Sequence, residues 1–166
     1  MPVTTRPFEP PDADGLAALV LSIQRDEFGF SITYADQPDL QDVAGFFRTG
    51  AGEFWVAVDS ERVVGSVGLV DLGNGEAALR KMFVHAKYRG SAFGVAQGLL
   101  AALLNHARAR AIKTIYLGTT EKFHAAHRFY EKSGFRLAEA QTLPANFPRM
   151  TLDTRFYRVD LDAREV

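Results

Sequence analysis

Apolar positions recur along this chain in two rhythms, one helical and one alternating, and the changes between them mark out the elements. Val3 to Phe8 reads as a first strand, closed by Pro10 and Pro11. Leu16, Leu19, Val20 and Ile23 then fall at helical spacing behind a capping Asp12 or Asp14, which predicts a helix ending near Gly29. Residues 30–37 read as a loop. Pro38 opens a shorter helix with Leu40, Val43, Phe46 and Phe47 apolar, ended by Gly50 or Gly52.

The rhythm then changes to that of strands. Phe54 to Val58, Val63 to Leu72 and Glu76 to Val84 predict an antiparallel meander. Gly73-Asn74-Gly75 supplies its second turn, because Asn-Gly tolerates the positive φ angles of a type I′ hairpin. Gly65 and Gly68 either weaken the middle strand or admit a close neighbour. A helix follows from about Phe93 to Ala111, with Ala96, Leu99, Leu100, Leu103, Leu104 and Ala107 on one broad face. Thr114 to Gly118 is a short strand, expected in a parallel or crossover relation to the strand at 79–84 because a helix intervenes. The chain finishes with a helix from about Lys122 to Lys132, Gly134 as its left-handed C′ residue, and a strand at Phe135 to Ala138. A loop over 139–149 and a last strand from Met150 to Leu161 close it.

Composition narrows the picture. At 166 residues, 47% hydrophobic and 23% charged, the chain predicts one domain over residues 1–166 with a core of its own. No apolar run approaches the ~18 residues of a membrane span. The first residues hold no signal-peptide core, so the cytoplasm is the expected compartment and no membrane partner is expected. Cys is absent, which removes disulfides, thiolate metal sites and a Cys nucleophile. A net charge of −1 without a Lys/Arg block argues against an extended nucleic-acid surface. No pair of His with a spaced acidic residue suggests a metal site.

The stretch with the clearest chemistry is residues 83–96. An apolar strand stops at Val84, a small-residue loop with Arg89, Gly90 and Ser91 follows, and a helix begins near Phe93. The first N–H groups of a helix lack internal partners, and the helix dipole places partial positive charge there. With Arg89 beside it, this is a cradle for an anion such as a pyrophosphate.

Two motifs in this order resemble the GCN5-related N-acetyltransferase superfamily. Arg89-Gly90-Ser91-Ala92-Phe93-Gly94 is similar to its Arg/Gln-x-x-Gly/Ala-x-Gly/Ala pyrophosphate loop, with Ala92 at a position where Gly is commoner. Ala126-His127-Arg128-Phe129-Tyr130-Glu131-Lys132-Ser133-Gly134-Phe135 is similar to its Ala-x-x-Phe-Tyr-Glu-Lys-x-Gly-Phe signature. The resemblance implies an α/β fold with a central mixed, mostly antiparallel sheet of six to seven strands flanked by about four helices. It implies acetyl-CoA as co-substrate, no metal, and a small-molecule amine acceptor, and it leaves a homodimer open.

The resemblance also implies roles. The backbone groups of Met82, Phe83 and Val84 would bind the pantetheine arm where this strand splays from its neighbour, while their side chains pack. Arg89, Gly90, Ser91, Ala92, Phe93 and Gly94 would hold the pyrophosphate, with Ser91 an equally good helix cap. Arg80 and Lys87 could add charge there or be ordinary surface residues. Phe123 stands where the family often has Asn, so Thr119, Thr120 or His124 would have to supply that polar contact to the cofactor. Tyr130 would protonate the leaving thiolate. Glu76 would be the base, though a Glu directly after a hairpin is equally a solvated residue; His85, His124 and His127 are alternatives. The acceptor would enter between the 28–40 loop (Phe30, Tyr34, Asp36, Asp39, with Asp42 beyond) and the 139–156 segment (Phe147, Arg149, Met150, Asp153, Arg155). The expected activity is direct acetyl transfer from acetyl-CoA to a primary amine of a small or amino-acid-like acceptor. The rival readings are a CoA-binding sensor without turnover and an acetyltransferase acting on protein amines.

Overall fold

Asn74 and Gly75 both take positive φ, 57° and 76°, so the chain reverses in two residues and the meander predicted around them forms. The structure is a computed structural model that describes residues 3–90 and 92–161. Strands β1 (Thr4–Pro7), β2 (Glu53–Asp59), β3 (Arg62–Gly73) and β4 (Glu76–Val84) pair antiparallel in sequence order. β4 then lies parallel to β5 (Thr114–Thr119), and β7 (Arg155–Asp160) and β6 (Arg136–Ala138) complete the order β1-β2-β3-β4-β5-β7-β6. This is the expected mixed, mostly antiparallel sheet, with seven strands.

Alternation along β2 divides the core. Phe54, Val56 and Val58 point to one face, where Leu16, Leu19, Val20 and Ile23 join Leu40, Val43 and Phe47. Trp55 and Ala57 point to the other face, against Val95, Leu99, Leu100 and Leu103. Helix α4 (Val95–Ala109) therefore covers one face, and α1 (Ala13–Leu21), α2 (Pro38–Gln41) and α3 (Val43–Phe47) cover the other. Helix α5 (His124–Lys132) adds Tyr130 to the α4 side and ends at Gly134, whose φ is 98°. Gly68 is needed for space: a Cβ there would stand 2.5 Å from Phe47 and 2.6 Å from Phe54.

Three element boundaries differ from the sequence pattern. The helix predicted to reach Gly29 changes at Ser22 into a wider π-type turn over Ser22–Glu27. The helix predicted over 38–47 breaks at Asp42 (φ −149°), whose side chain turns back to accept the Gly45 N–H, so α2 and α3 are separate. The last strand starts at Arg155, because Asp153 accepts the Met150 N–H and holds that segment as a turn.

Candidate active site

The site is made by one irregularity in β4. Gly68 pairs with Arg80 and Ser66 with Phe83, so Lys81 and Met82 together oppose one residue of β3. This is a β-bulge, and Lys81 takes φ 56°, which side-chain-bearing residues rarely adopt. The fully buried Ser66 pins it, its hydroxyl donating to the Lys81 carbonyl at 2.7 Å. Neighbouring side chains on a regular strand point to opposite faces. Here Arg80 and Lys81 reach the same carboxylate: each approaches Asp39 Oδ2 at 3.0 Å.

The bulge also parts the sheet. β4 and β5 are in register from Glu76↔Thr114 to Leu79↔Leu117 and no further. Beyond Leu79 the two strands frame an opening with a cavity on either side. The larger, about 610 Å³, is lined by Met82, Phe83, Val84, Arg89, Gly90, Ala96, Phe123 and Tyr130, with the surface cations Lys122, Arg128 and Lys132. The smaller, about 80 Å³, is lined by Gln24, Arg80, Lys81, Gly118, Thr119, Thr120, Met150 and Asp153. Both include Met82, Phe83, Phe123, Ala126 and Tyr130, so these residues form the wall between them.

The larger cavity suits a phosphate-bearing ligand with an apolar arm. Arg89 and Gly90 stand at one end near the N-terminus of α4, and Phe28, Met82, Val84 and Phe129 supply apolar wall. Arg89 already has partners: Nη2 donates to Glu27 Oε1 at 2.7 Å, Nη1 to Glu27 Oε2, and Nε to the Val84 carbonyl at 2.8 Å. Arg89 holds the Glu27 carboxyl below its ordinary range. Ala92, Phe93 and Gly94 do not line the cavity, and Phe93 is 53% exposed. Ser91, expected to bond phosphate or cap the helix, lies outside the described residues. Phe123 packs on Phe28 (ring centroids 4.7 Å apart), Phe30 (6.0 Å) and Phe83 (6.2 Å), giving an aromatic wall at the position where the family often has Asn. Met82 and Val84 pack to the α4 side and Phe83 to the α1 side, as half-buried core.

Tyr130 is 4% exposed, and its hydroxyl makes no hydrogen bond among the described residues. Burial, reinforced by Tyr157, pushes its phenol well above the ordinary range, so it is protonated at neutral pH. Glu76 is not brought to it. The carboxylate accepts from the Tyr116 hydroxyl at 3.3 Å, and Glu76 lines neither cavity. Six residues of strand put it roughly 20 Å from Met82 at ~3.3 Å per residue. His127 is buried with Nε2 at 2.9 Å from the Thr120 carbonyl, and burial lowers its pKa. His124 is exposed on the larger cavity's side.

The smaller cavity collects buried charge. Asp39 is 1% exposed and Lys81 7%. Burial alone would raise the Asp39 pKa, but Lys81 and Arg80 hold it below the ordinary value. Burial lowers that of Lys81. Burial raises that of Asp153 against the pull of the Met150 N–H and of Arg80, Lys81 and Arg149. Arg80, which could have added charge beside the phosphate loop, instead points here and also donates to the Pro148 carbonyl. Of the two predicted acceptor walls, Met150 and Asp153 of the second line this cavity, and Asp39 of the first stands behind it, paired with Arg80 and Lys81. Lys81, Gln24 and Gly118 were missed, since nothing in the local sequence marks a bulge at Lys81.

The chain belongs to the acetyltransferase (GNAT) family, whose profile matches residues 18–135. It is 34% identical over 138 residues to the N-acetylaspartate synthetase of Xenopus tropicalis, an alignment covering 76% of this chain and 49% of that protein. The chain thus spans about half the length of the curated relatives it matches. Among solved structures, a GNAT-family acetyltransferase from Staphylococcus aureus Mu50 superposes with a TM-score of 0.92 at 35% identity, covering 96% of this chain and 99% of that one. An acetyltransferase from Streptococcus agalactiae 2603 superposes with a TM-score of 0.90 at 30% identity, covering 96% and 98%.

Proposed function

We propose that this chain transfers the acetyl group of acetyl-CoA to the primary amine of a small, carboxylate-bearing acceptor, by direct attack on the thioester. One observation carries the reading: a large cavity with cations at its rim and a small charged one meet at a shared wall that includes Tyr130. The donor's pyrophosphate belongs with Arg89, Gly90 and the α4 N-terminus, and its acyl end with the gap between β4 and β5. The acceptor belongs in the smaller cavity. Lys81 has a donor left after its contacts with Asp39 Oδ2 and the Met150 sulfur, and a carboxylate on the acceptor would meet it there. The likeness to N-acetylaspartate synthetases supports an amino-acid acceptor.

Tyr130 serves as the acid for the departing thiolate. Its raised pKa keeps the proton available, and its hydroxyl has no competing partner among the described residues. The test is a thiol-release screen with acetyl-CoA against amino acids, polyamines, aminoglycosides and peptides. Release with an amino acid, and a melting temperature raised by acetyl-CoA, are the expected results. Tyr130→Phe should lower kcat by about 100-fold with the acetyl-CoA KM little changed, within the usual range for a lost general acid. A raised melting temperature without thiol release across the panel would favour a CoA sensor, and no shift in millimolar acetyl-CoA would sink the donor assignment.

A further inference from the structure

Asp153 holds its turn with one carboxylate oxygen and leaves the other unused among the described residues. Its Oδ2 accepts the Met150 N–H at 2.9 Å, while Oδ1 makes no hydrogen bond among the described residues. Cations surround it, Arg80 and Lys81 from β4 and Arg149 from its own segment, yet it forms no ion pair among the described residues. Arg80 and Lys81 are instead committed to Asp39. Strand β5 makes room for Asp153: a Cβ on Gly118 would lie 2.7 Å from its Oδ2. It therefore lies against β5 beyond the last paired residue, Leu117, and lines the smaller cavity together with Tyr130.

We infer that Asp153 receives the acceptor's ammonium group and removes its proton. The inference rests on the acetyl-transfer reading and supplies the base that Glu76 is too distant to be. The alternatives are engaged elsewhere: the Lys81 ammonium is held by Asp39, and His127 Nε2 by the Thr120 carbonyl. The proton balance closes. The ammonium gives one proton to the Asp153 carboxylate, and the nitrogen lone pair forms the new C–N bond. The C–S bond breaks, its electron pair leaves on sulfur, and the Tyr130 hydroxyl protonates that sulfur. The second proton on nitrogen replaces the one Tyr130 gave up, and Asp153 releases its proton to solvent. Burial raises the proton affinity of Asp153 against the pull of Arg80, Lys81 and Arg149, and the same cations disfavour a cationic amine beside them.

The test uses Asp153→Asn and Asp153→Glu, with acetyl-CoA and L-aspartate as the first amine, then the amines that release thiol in the screen. Asn keeps an acceptor for the Met150 N–H. The amine kcat/KM of Asp153→Asn should fall at least 100-fold near pH 7, with the acetyl-CoA KM and melting shift within twofold of wild type. Wild type should lose rate as pH falls through the Asp153 pKa. Asp153→Asn should lack the plateau above that limb, its rate still rising tenfold per pH unit as free amine accumulates. Asp153→Glu should keep an acid limb at a reduced rate. A rate for Asp153→Asn within threefold of wild type, or an unchanged pH profile with the same limb and plateau, overturns the inference while acetyl transfer stands. If Asp153→Asn does not fold, Asp153→Glu decides: a wild-type rate with a wild-type limb overturns it. Wild-type protein that releases no thiol with any amine overturns the acetyl-transfer reading and this inference together.

Discussion

The two cavities that meet at Tyr130 are built on opposite plans. The larger, proposed for the donor, is wide and drawn mostly from two local stretches, within Met82 to Gln97 and Lys122 to Lys132, with Ile23 and Phe28 added from outside them. Its charged groups are cations near solvent. The acceptor side is small and assembled from residues far apart in the chain, Gln24, Arg80, Lys81, Gly118 and Asp153, with Asp39 behind them. Its charges are of both signs and mostly buried. A phosphate can be held by backbone N–H groups and one Arg, which a single loop and helix start can provide. Recognition of a small charged amine away from water needs each buried charge answered by another, and only tertiary structure brings those together.

The largest effect should come from breaking the acceptor side alone. Asp39→Ala leaves the Lys81 ammonium, 2% exposed at its side chain, and the Arg80 guanidinium, 12% exposed, without their anion. Removing one partner of a buried charge cluster costs about 3–5 kcal/mol. Urea unfolding should show that loss near neutral pH, with acetyl-CoA still raising the melting temperature of the folded fraction. The pH dependence has a definite sign. The Asp39 pKa lies below its ordinary 3.8 in the folded protein, so its contribution is complete above that value and fades as pH falls through the lower folded value. The gap between wild type and variant should therefore narrow in acid. A loss below about 1 kcal/mol near neutral pH would mean that Lys81 sheds its proton once Asp39 is gone, which its burial-lowered pKa allows.

A smaller change tests whether the two sides are separable. Gly118→Ala puts a methyl group 2.7 Å from Asp153 Oδ2 and 2.8 Å from its Cγ, so the carboxylate must shift. Overpacking of this kind costs about 1–3 kcal/mol. Displacement of the carboxylate should reduce the amine kcat/KM by tenfold or more while the acetyl-CoA melting shift persists. Equal losses on both sides would show that the wall at Tyr130 transmits the strain and that the cavities do not act independently.

The same contrast explains what could be read from the chain. The meander, its Asn-Gly turn, the parallel β4–β5 pair and the helix ending at Gly134 follow from local pattern, and the structure has them. The loop after β4 and the helix of Tyr130 could be singled out in the sequence because their residues are contiguous, and Arg89, Gly90 and Tyr130 do line the larger cavity. The acceptor side was legible only as two candidate walls. Arg80 read as a possible extra charge near the loop or a surface residue, because a regular strand would not aim it and Lys81 at one carboxylate; the positive φ of Lys81 does so, and no residue type announces it. Glu76 was favoured by its order along the strand, but its distance along β4 removes it from the opening. Glu27 drew no notice, since its role depends on a partner 62 residues away.

That pair carries the finest test. Arg89 meets Glu27 through two nitrogens, and both side chains are about a third exposed, 37% and 33%. Exposed pairs contribute under about 1 kcal/mol. A pyrophosphate reaching Arg89 would have to displace this carboxylate, which ends the π-type turn beside Phe28, and Phe28 packs on Phe123 in the cavity wall. Glu27→Gln removes the competing anion, so affinity for CoA should rise about two- to fivefold, equivalent to less than about 1 kcal/mol. The gain should shrink in 1 M salt, where the Debye length falls to about 3 Å. Calorimetric titration of CoA at both ionic strengths measures it. Weaker binding by Glu27→Gln would reverse the sense of the contact: Glu27 would then orient Arg89 for the phosphates, and the donor side, like the acceptor side, would depend on a partner supplied from far along the chain.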